Sequence, residues 1–248
     1  MSQALEGKAV LITGAARRVG AAIVRTLHGA GARIAIHHRA SGADADALAA
    51  GLNALRPGSA ILLQADLLDT ARLPRLVDAT LAAFGRLDVL VNNASSFYAT
   101  PVGTITESQW DDLLGTNLKA PLFLSQAAAP ALRASEGLIL NIVDIHGLRP
   151  LKGFPVYSPA KAGLVMLTHA LARELAPRVR VNAIAPGPVL FPESGLTEEK
   201  KTDIIDRTLL KRRGSPQDIA NAALFFAADA PYVTGQVLAI DGGRSTNA

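Results

Sequence analysis

The stretch AVLITGAARRVG, residues 9–20, decides how the rest of the chain reads. Ala9 to Ile12 are continuously apolar, Thr13 and Gly14 break the run, and GAAIVRTLHGAG (20–31) then takes up a helical period. A short, fully apolar run fits a strand covered on both faces, and the glycine turn joins it to a helix. Such a turn has a chemical use. A dinucleotide's pyrophosphate needs a tight bend, close approach of the backbone and a helix N-terminus whose free N–H groups attract an anion. Gly14 and Gly20 give the turn its freedom, with Arg17, Arg18 and Val19 between them, and Arg18 stands where nucleotide turns usually carry a middle glycine. A glycine turn alone also describes an ordinary strand–helix connection. Its place after a first strand and before an amphipathic helix favours the nucleotide.

Outward from this unit the pattern repeats. Strand candidates are RIAIH (33–37), AILLQ (60–64), DVLVN (88–92), GLILNIV (137–143), RVRVNAI (178–184) and QVLAI (236–240), separated by alanine-rich helical stretches such as SPAKAGLVMLTHALARELA (158–176). This alternation predicts a single-domain, Rossmann-type, doubly wound α/β fold of about seven parallel strands with helices on both faces. The whole chain, 1–248, reads as one domain without repeats or linkers, and Gly42 to Asp46 reads as a loop entering a helix. With 49% hydrophobic and 19% charged residues there is ample apolar surface for a core. The absence of cysteine excludes disulfides and thiolate metal sites, and no metal site is expected. The N-terminus lacks signal-peptide character and no apolar run approaches the roughly 20 residues of a membrane span, so a cytoplasmic protein is expected. The net charge of +4 is scattered, apart from KTDIIDRTLLKRR (201–213), which reads as a solvated helix end. With 4% aromatic residues there is no stacking platform for bases, so nucleic acid is not an expected partner.

The second strand runs into His37-His38-Arg39-Ala40-Ser41, where a site selective for NAD places a carboxylate for the ribose hydroxyls. No acid is present. His38, Arg39 and Ser41, with Arg17 from the turn, suit the 2′-phosphate of NADPH. Asp66-Leu67 beyond the third strand is placed to meet the adenine, and Asn92-Asn93-Ala94 to border the nicotinamide ribose. Tyr157 and Lys161 lie four apart on one helix face. An ammonium beside a phenol stabilises the phenolate and lowers its pKa, so this tyrosine can exchange a proton while a cofactor exchanges a hydride.

These features together resemble the short-chain dehydrogenase/reductase family along nearly the whole chain: the glycine turn, Asp66, Asn92-Asn93-Ala94, Asn117, Tyr157/Lys161, Pro186-Gly187 and Asp241-Gly242-Gly243. The resemblance implies that Asn117 helps to hold a proton-relay water beside Lys161, and that Pro186, Gly187 and Val189 border the nicotinamide. It also implies a homotetramer built on the helices carrying Asn117 and Tyr157.

One position departs from that family. Most members have a serine 13 residues before the tyrosine; here it is Asp144. A carboxylate repels the alkoxide that develops in ketone reduction, but suits a substrate whose nitrogen must gain a proton. Asp144, Ser95-Ser96-Phe97-Tyr98, Arg18 and Pro188-Val189-Leu190-Phe191-Pro192-Glu193 resemble the pteridine reductase branch, in its bacterial form. That resemblance puts Phe97 on one face of a pterin, Ser95 and Arg18 against pterin and cofactor phosphate, and Leu190 on the substrate. Asp144 and Tyr157 then deliver the proton. His146 reads as a pocket-rim residue, His37 as structural or cofactor-rim, Trp110 as packing, and Leu190 to Arg213 as a mobile cover. The expected activity is NADPH-dependent reduction of a pterin C=N bond, with dihydrofolate as a further substrate. A carbonyl reductase of 3-oxoacyl thioesters or small ketones, and a non-catalytic NADP sensor, stand as alternatives.

Overall fold

The computed structural model describes residues 3–191 and 196–247. Among these, seven strands form one sheet: β1 (Ala9–Ile12), β2 (Arg33–His38), β3 (Ala60–Gln64), β4 (Val89–Asn92), β5 (Leu138–Ile142), β6 (Arg180–Pro186) and β7 (Val237–Ile240). The order is β3-β2-β1-β4-β5-β6-β7, and every neighbouring pair is parallel. The helices are α1 (Arg18–Gly29), α2 (Gly42–Leu55), α3 (Leu73–Phe84), α4 (Glu107–Leu114), α5 (Ala120–Ser135), α6 (Tyr157–Leu175), α7 (Glu198–Asp206) and α8 (Pro216–Ala228).

The two-residue alternation of each strand divides the core into two layers. Val10, Ile12, Ile34, Ile36, Val89 and Val91 face one side with Ile23, Val24 and Leu27 of α1, Leu48 and Leu52 of α2, and Ile219 and Phe226 of α8. Ala9, Leu11, Ala35, Leu90 and Ile139 face the other, against α3, α5 and Leu175 of α6. Each buried Leu, Ile or Val side chain contributes about 1.5–3 kcal/mol. Local signals start the helices: a Thr106–Gln109 capping box opens α4, and Ser215 with Asp218, followed by Pro216, opens α8.

The structure corrects two expectations. The segment from Gly42 to Asp46 is the first turn of α2, with Ser41 as its N-cap, so the loop from β2 is only Arg39 to Ser41. Alanine-rich sequence with Asp44 near the N-terminus favours helix from the outset. Trp110 is half exposed and does not pack into this chain's core; Leu113 is the residue that α4 buries. Between α4 and α5 the helix passes through a π-turn, Gly115–Lys119, an irregularity frequent at functional sites.

A buried polar network fixes the active-site side of the sheet. Asn92 Nδ2 donates to Asn141 Oδ1 at 2.8 Å and to Ser125 Oγ at 3.3 Å, while Asn141 Nδ2 donates to Thr168 Oγ1 at 2.9 Å. Two strands are thereby cross-linked to α5 and α6. Asn92 therefore lies inside the molecule and off the cavity wall that Asn93 and Ala94 line. Replacing Asn141 by leucine removes one partner each from Asn92 and Thr168, which keep only Ser125 and the Leu164 carbonyl. The expected cost is about 2–4 kcal/mol, measured as a lower urea midpoint with an unchanged m-value.

Candidate active site

β1 meets β2 on one side and β4 on the other, so the chain winds outward in opposite directions from this point and leaves a crevice at the carboxyl ends of the strands. A cavity of about 860 Å³ occupies it. One end is lined by Gly14, Arg17, Arg18, Val19, Gly20, His38, Arg39, Ser41, Asp66, Leu67, Asn93 and Ala94. The other carries Ser95, Phe97, Asp144, Tyr157, Lys161, Pro186, Gly187, Val189 and Leu190.

The first end is a backbone cradle. Gly14 has φ +59°, and a Cβ there would stand 2.8 Å from the Ala94 Cα, so no side chain can occupy the lip. Asn93 Nδ2 donates to the carbonyls of Thr13 and Gly14, both at 2.9 Å, and Thr13 Oγ1 accepts from the amides of Asn93 and Ala94. Arg18, in the place of the usual glycine, keeps a left-handed φ of +54°. Its guanidinium donates to the Phe191 carbonyl across the cavity. The α1 N-cap, Arg17, makes no side-chain cap bond, so the first-turn N–H groups remain open to an anion. Around the end of β2, Arg39 is exposed, the Ser41 hydroxyl caps nothing, and the buried His38 Nδ1 has no partner among the described residues. Arg17 is held by Asp44 of α2 at 2.5 Å. This donor set, without a carboxylate at the end of β2, fits a 2′-phosphorylated dinucleotide.

At the second end, Asp144 follows β5 and Tyr157 opens α6. Tyr157 Oη donates to Asp144 Oδ2 at 2.7 Å, and Asp144 Oδ1 accepts from the His146 amide at 2.8 Å. Both carboxylate oxygens are therefore fixed. Lys161 is buried, donates to the Ile142 carbonyl at 2.9 Å and lies 5.8 Å from the Tyr157 ring centroid. Burial, then the Asp144 charge and hydrogen bond, push the Tyr157 phenol well above its ordinary value. This corrects the expectation that Lys161 lowers it: the ammonium is itself desolvated, and the nearest full charge to the phenol is negative. Burial pulls Lys161 down to about 8, against the raising influence of Asp144. Phe97, 45% exposed, stacks on Phe154 at 4.7 Å and meets Tyr157 edge-on at 4.8 Å.

Known proteins resemble this chain along nearly its whole length. A family model described as enoyl-(acyl carrier protein) reductase matches residues 14–245. The chain belongs to the short-chain dehydrogenase/reductase family. Pteridine reductase 1 of Leishmania tarentolae is 37% identical over 278 aligned residues, covering 95% of each chain. The 3-oxoacyl-[acyl-carrier-protein] reductase FabG of Staphylococcus aureus is 35% identical, covering 95% of this chain and 97% of its own. Among solved structures, a blue fluorescent protein from a metagenomic library, in complex with NADPH, superposes with a TM-score of 0.91. It is 35% identical and covers 97% of this chain and 98% of its own.

Within this family framework, the cavity brings together the expected site residues except Asn117. That side chain is 0% exposed and off the cavity wall: its Oδ1 accepts from Ser95 Oγ at 2.7 Å, and its Nδ2 donates to the carbonyls of Ser96 and Leu113. The Asn117 side chain thus anchors Ser95 from behind the cavity wall. His146 lines the cavity, as does Ile204 of α7 from within the expected cover; Pro192 and Glu193 lie outside the described residues. The sequence reading missed Phe154 and Leu151 on the wall, although an aromatic three residues before Tyr157 was a usable signal. Arg244 lines the cavity of its own chain and donates to the Ile204 carbonyl at 3.0 Å. No helix among the described residues is long and apolar enough to cross a membrane, and none of their acidic or histidine side chains group into a metal site.

Lysine-selective NMR of the cofactor-free protein is expected to show Lys161 titrating near 8. In Asp144→Asn the titration moves lower, because the one charge that favours the ammonium is gone while burial remains. A Lys161 titration near the ordinary lysine value would contradict this electrostatic account.

Proposed function

We propose that residues 1–248 act as one cytoplasmic catalytic unit that reduces a C=N bond of a pterin ring, with NADPH as cofactor and dihydropterins, including dihydrofolate, as substrates. The observation that carries this reading is the fixed Tyr157–Asp144 pair inside the cavity. Similarity to a pteridine reductase supports the substrate class, and similarity to a protein solved with NADPH supports the cofactor. When bound, NADPH supplies the hydride.

The chain's own residues do the rest. Gly14, Val19 and Gly20 receive the pyrophosphate, Arg17, His38, Arg39 and Ser41 the 2′-phosphate, and Asp66 with Leu67 the adenine. Asn93, Ala94, Pro186, Gly187 and Val189 border the nicotinamide half. Phe97, backed by Phe154, offers its accessible face to a flat heterocycle. Ser95, Arg18 and Leu190 complete the substrate contacts. Tyr157 holds the proton at Oη and passes it to the ring nitrogen; Lys161 offsets the negative charge left beside Asp144. The carboxylate accepts from the amidine-like N–H edge and so orients the ring. It also penalises an alkoxide, which separates this reading from carbonyl reduction.

The test is NADPH consumption with dihydrobiopterin, dihydrofolate and biopterin, set against a 3-oxoacyl thioester and simple ketones, with NADH in parallel. Pterin-dependent oxidation of NADPH, with NADH much poorer, is expected. Asp144→Ser is expected to lower kcat/KM for pterins by about 100-fold and to leave or raise any ketone activity. Turnover of carbonyls alone would overturn the pterin assignment. Tight NADPH binding with no turnover would favour a sensor.

The same reading includes a homotetramer. Half-exposed Trp110 on α4, Leu122 and Phe123 on α5 and exposed Met166 on α6 give those helices apolar surface for a second copy. Light scattering is expected to give the tetramer mass for the wild type and smaller species for Met166→Glu; a monomeric wild type would refute it.

A further inference from the structure

We propose that His37 is a positioning residue for the dinucleotide: its neutral imidazole clamps the Thr13–Gly14–Ala15 turn in the shape that aims the α1 N-terminus into the cavity. The inference rests on the cofactor reading above and concerns a side chain to which that reading gave no task.

The turn is gripped from the two strands that flank β1. From the β4 side, Asn93 takes the carbonyls of Thr13 and Gly14. From β2, His37 takes the amides: Gly14 N–H donates to His37 Nδ1 at 3.2 Å, and Ala15 N–H donates to the His37 carbonyl at 2.9 Å. An imidazole nitrogen accepts only through a free lone pair, so Nδ1 is unprotonated and the ring proton sits on Nε2. That N–H has its own acceptor, the Ala65 carbonyl beyond β3, at 3.2 Å. The ring is 1% exposed and thus bridges the turn to the end of β3 in a dry setting. Its effect is directional. With the Gly14 amide tied back to β2, the donors left facing the cavity are those of the first turn of α1, where a pyrophosphate binds. Without the clamp, a glycine turn has several low-energy shapes, and the cofactor must select one at a cost in affinity.

Three substitutions separate this from simple packing. Asparagine places Oδ1 where Nδ1 stands and keeps an acceptor for Gly14. Glutamine keeps an N–H that reaches Ala65 but no acceptor at that point. Phenylalanine keeps volume and neither bond. NADP⁺ affinity is measured by calorimetry on the full chain, with the Tm of the cofactor-free protein as control. His37→Asn is expected to bind within about threefold of wild type, and His37→Gln and His37→Phe about tenfold or more weaker, one lost hydrogen bond being of that order. If phenylalanine binds as wild type does, or if asparagine and glutamine lose affinity equally in step with Tm, the clamp is refuted. Should the phenylalanine variant not fold, the asparagine–glutamine contrast decides alone. A wild type that binds no NADP⁺ overturns the cofactor reading, and with it this inference; loss in neither polar variant overturns the inference alone.

Discussion

Where β1 ends, the peptide groups of Thr13, Gly14 and Ala15 leave the regular ladder that served the residues before them. Buried peptide groups must find partners, and here they take them from side chains and carbonyls of β2 and β4. That requirement fixes the lip of the cavity. A turn pinned on both sides orients α1, and the orientation of α1 determines where free N–H groups face. Gly14 and Ala94 can then lie in contact only because one of them lacks a side chain.

The opposite end of the cavity is governed by charge in a dry place. Asp144, Tyr157 and Lys161 share one small volume, and burial acts on the phenol and the ammonium in opposite directions, favouring the neutral form of each. Asp144 stays anchored because its two oxygens accept from different donors, one in the backbone and one on Tyr157. A serine hydroxyl at this position has no second oxygen to hold both. The departure from the common family pattern is therefore geometric as well as electrostatic: it converts a single donor into a bridge between the end of β5 and the start of α6.

Support for both ends comes from residues that never touch the cavity. Asn92, Asn141 and Thr168 join sheet to helix in a continuous buried chain, and Asn117 holds Ser95 through the π-turn. Polar groups at such depth are costly unless paired, and once paired they leave little freedom of position. The precision of the site thus depends on a paired polar seam buried beneath it.

Periodicity and turn chemistry in the sequence determined the parallel α/β fold, the place of the glycine turn, the absence of an acid after β2 and the presence of Asp144. These are properties of local stretches: strand and helix repeats, one turn, one substitution against a known pattern. The tertiary structure decided what depends on distance. The sequence placed His37 beside His38 without saying which ring turns toward Gly14; alternation along β2 and the packing of β3 settled that. It marked Asn117 as a site residue without showing that the π-turn buries the side chain against Ser95. It predicted a lowered phenol pKa from Lys161 four residues away, whereas the sign is set first by burial and then by Asp144, thirteen residues earlier and 2.7 Å distant. Charge and hydrogen bonding act through space, and spacing along the chain measures only one of the paths between two groups.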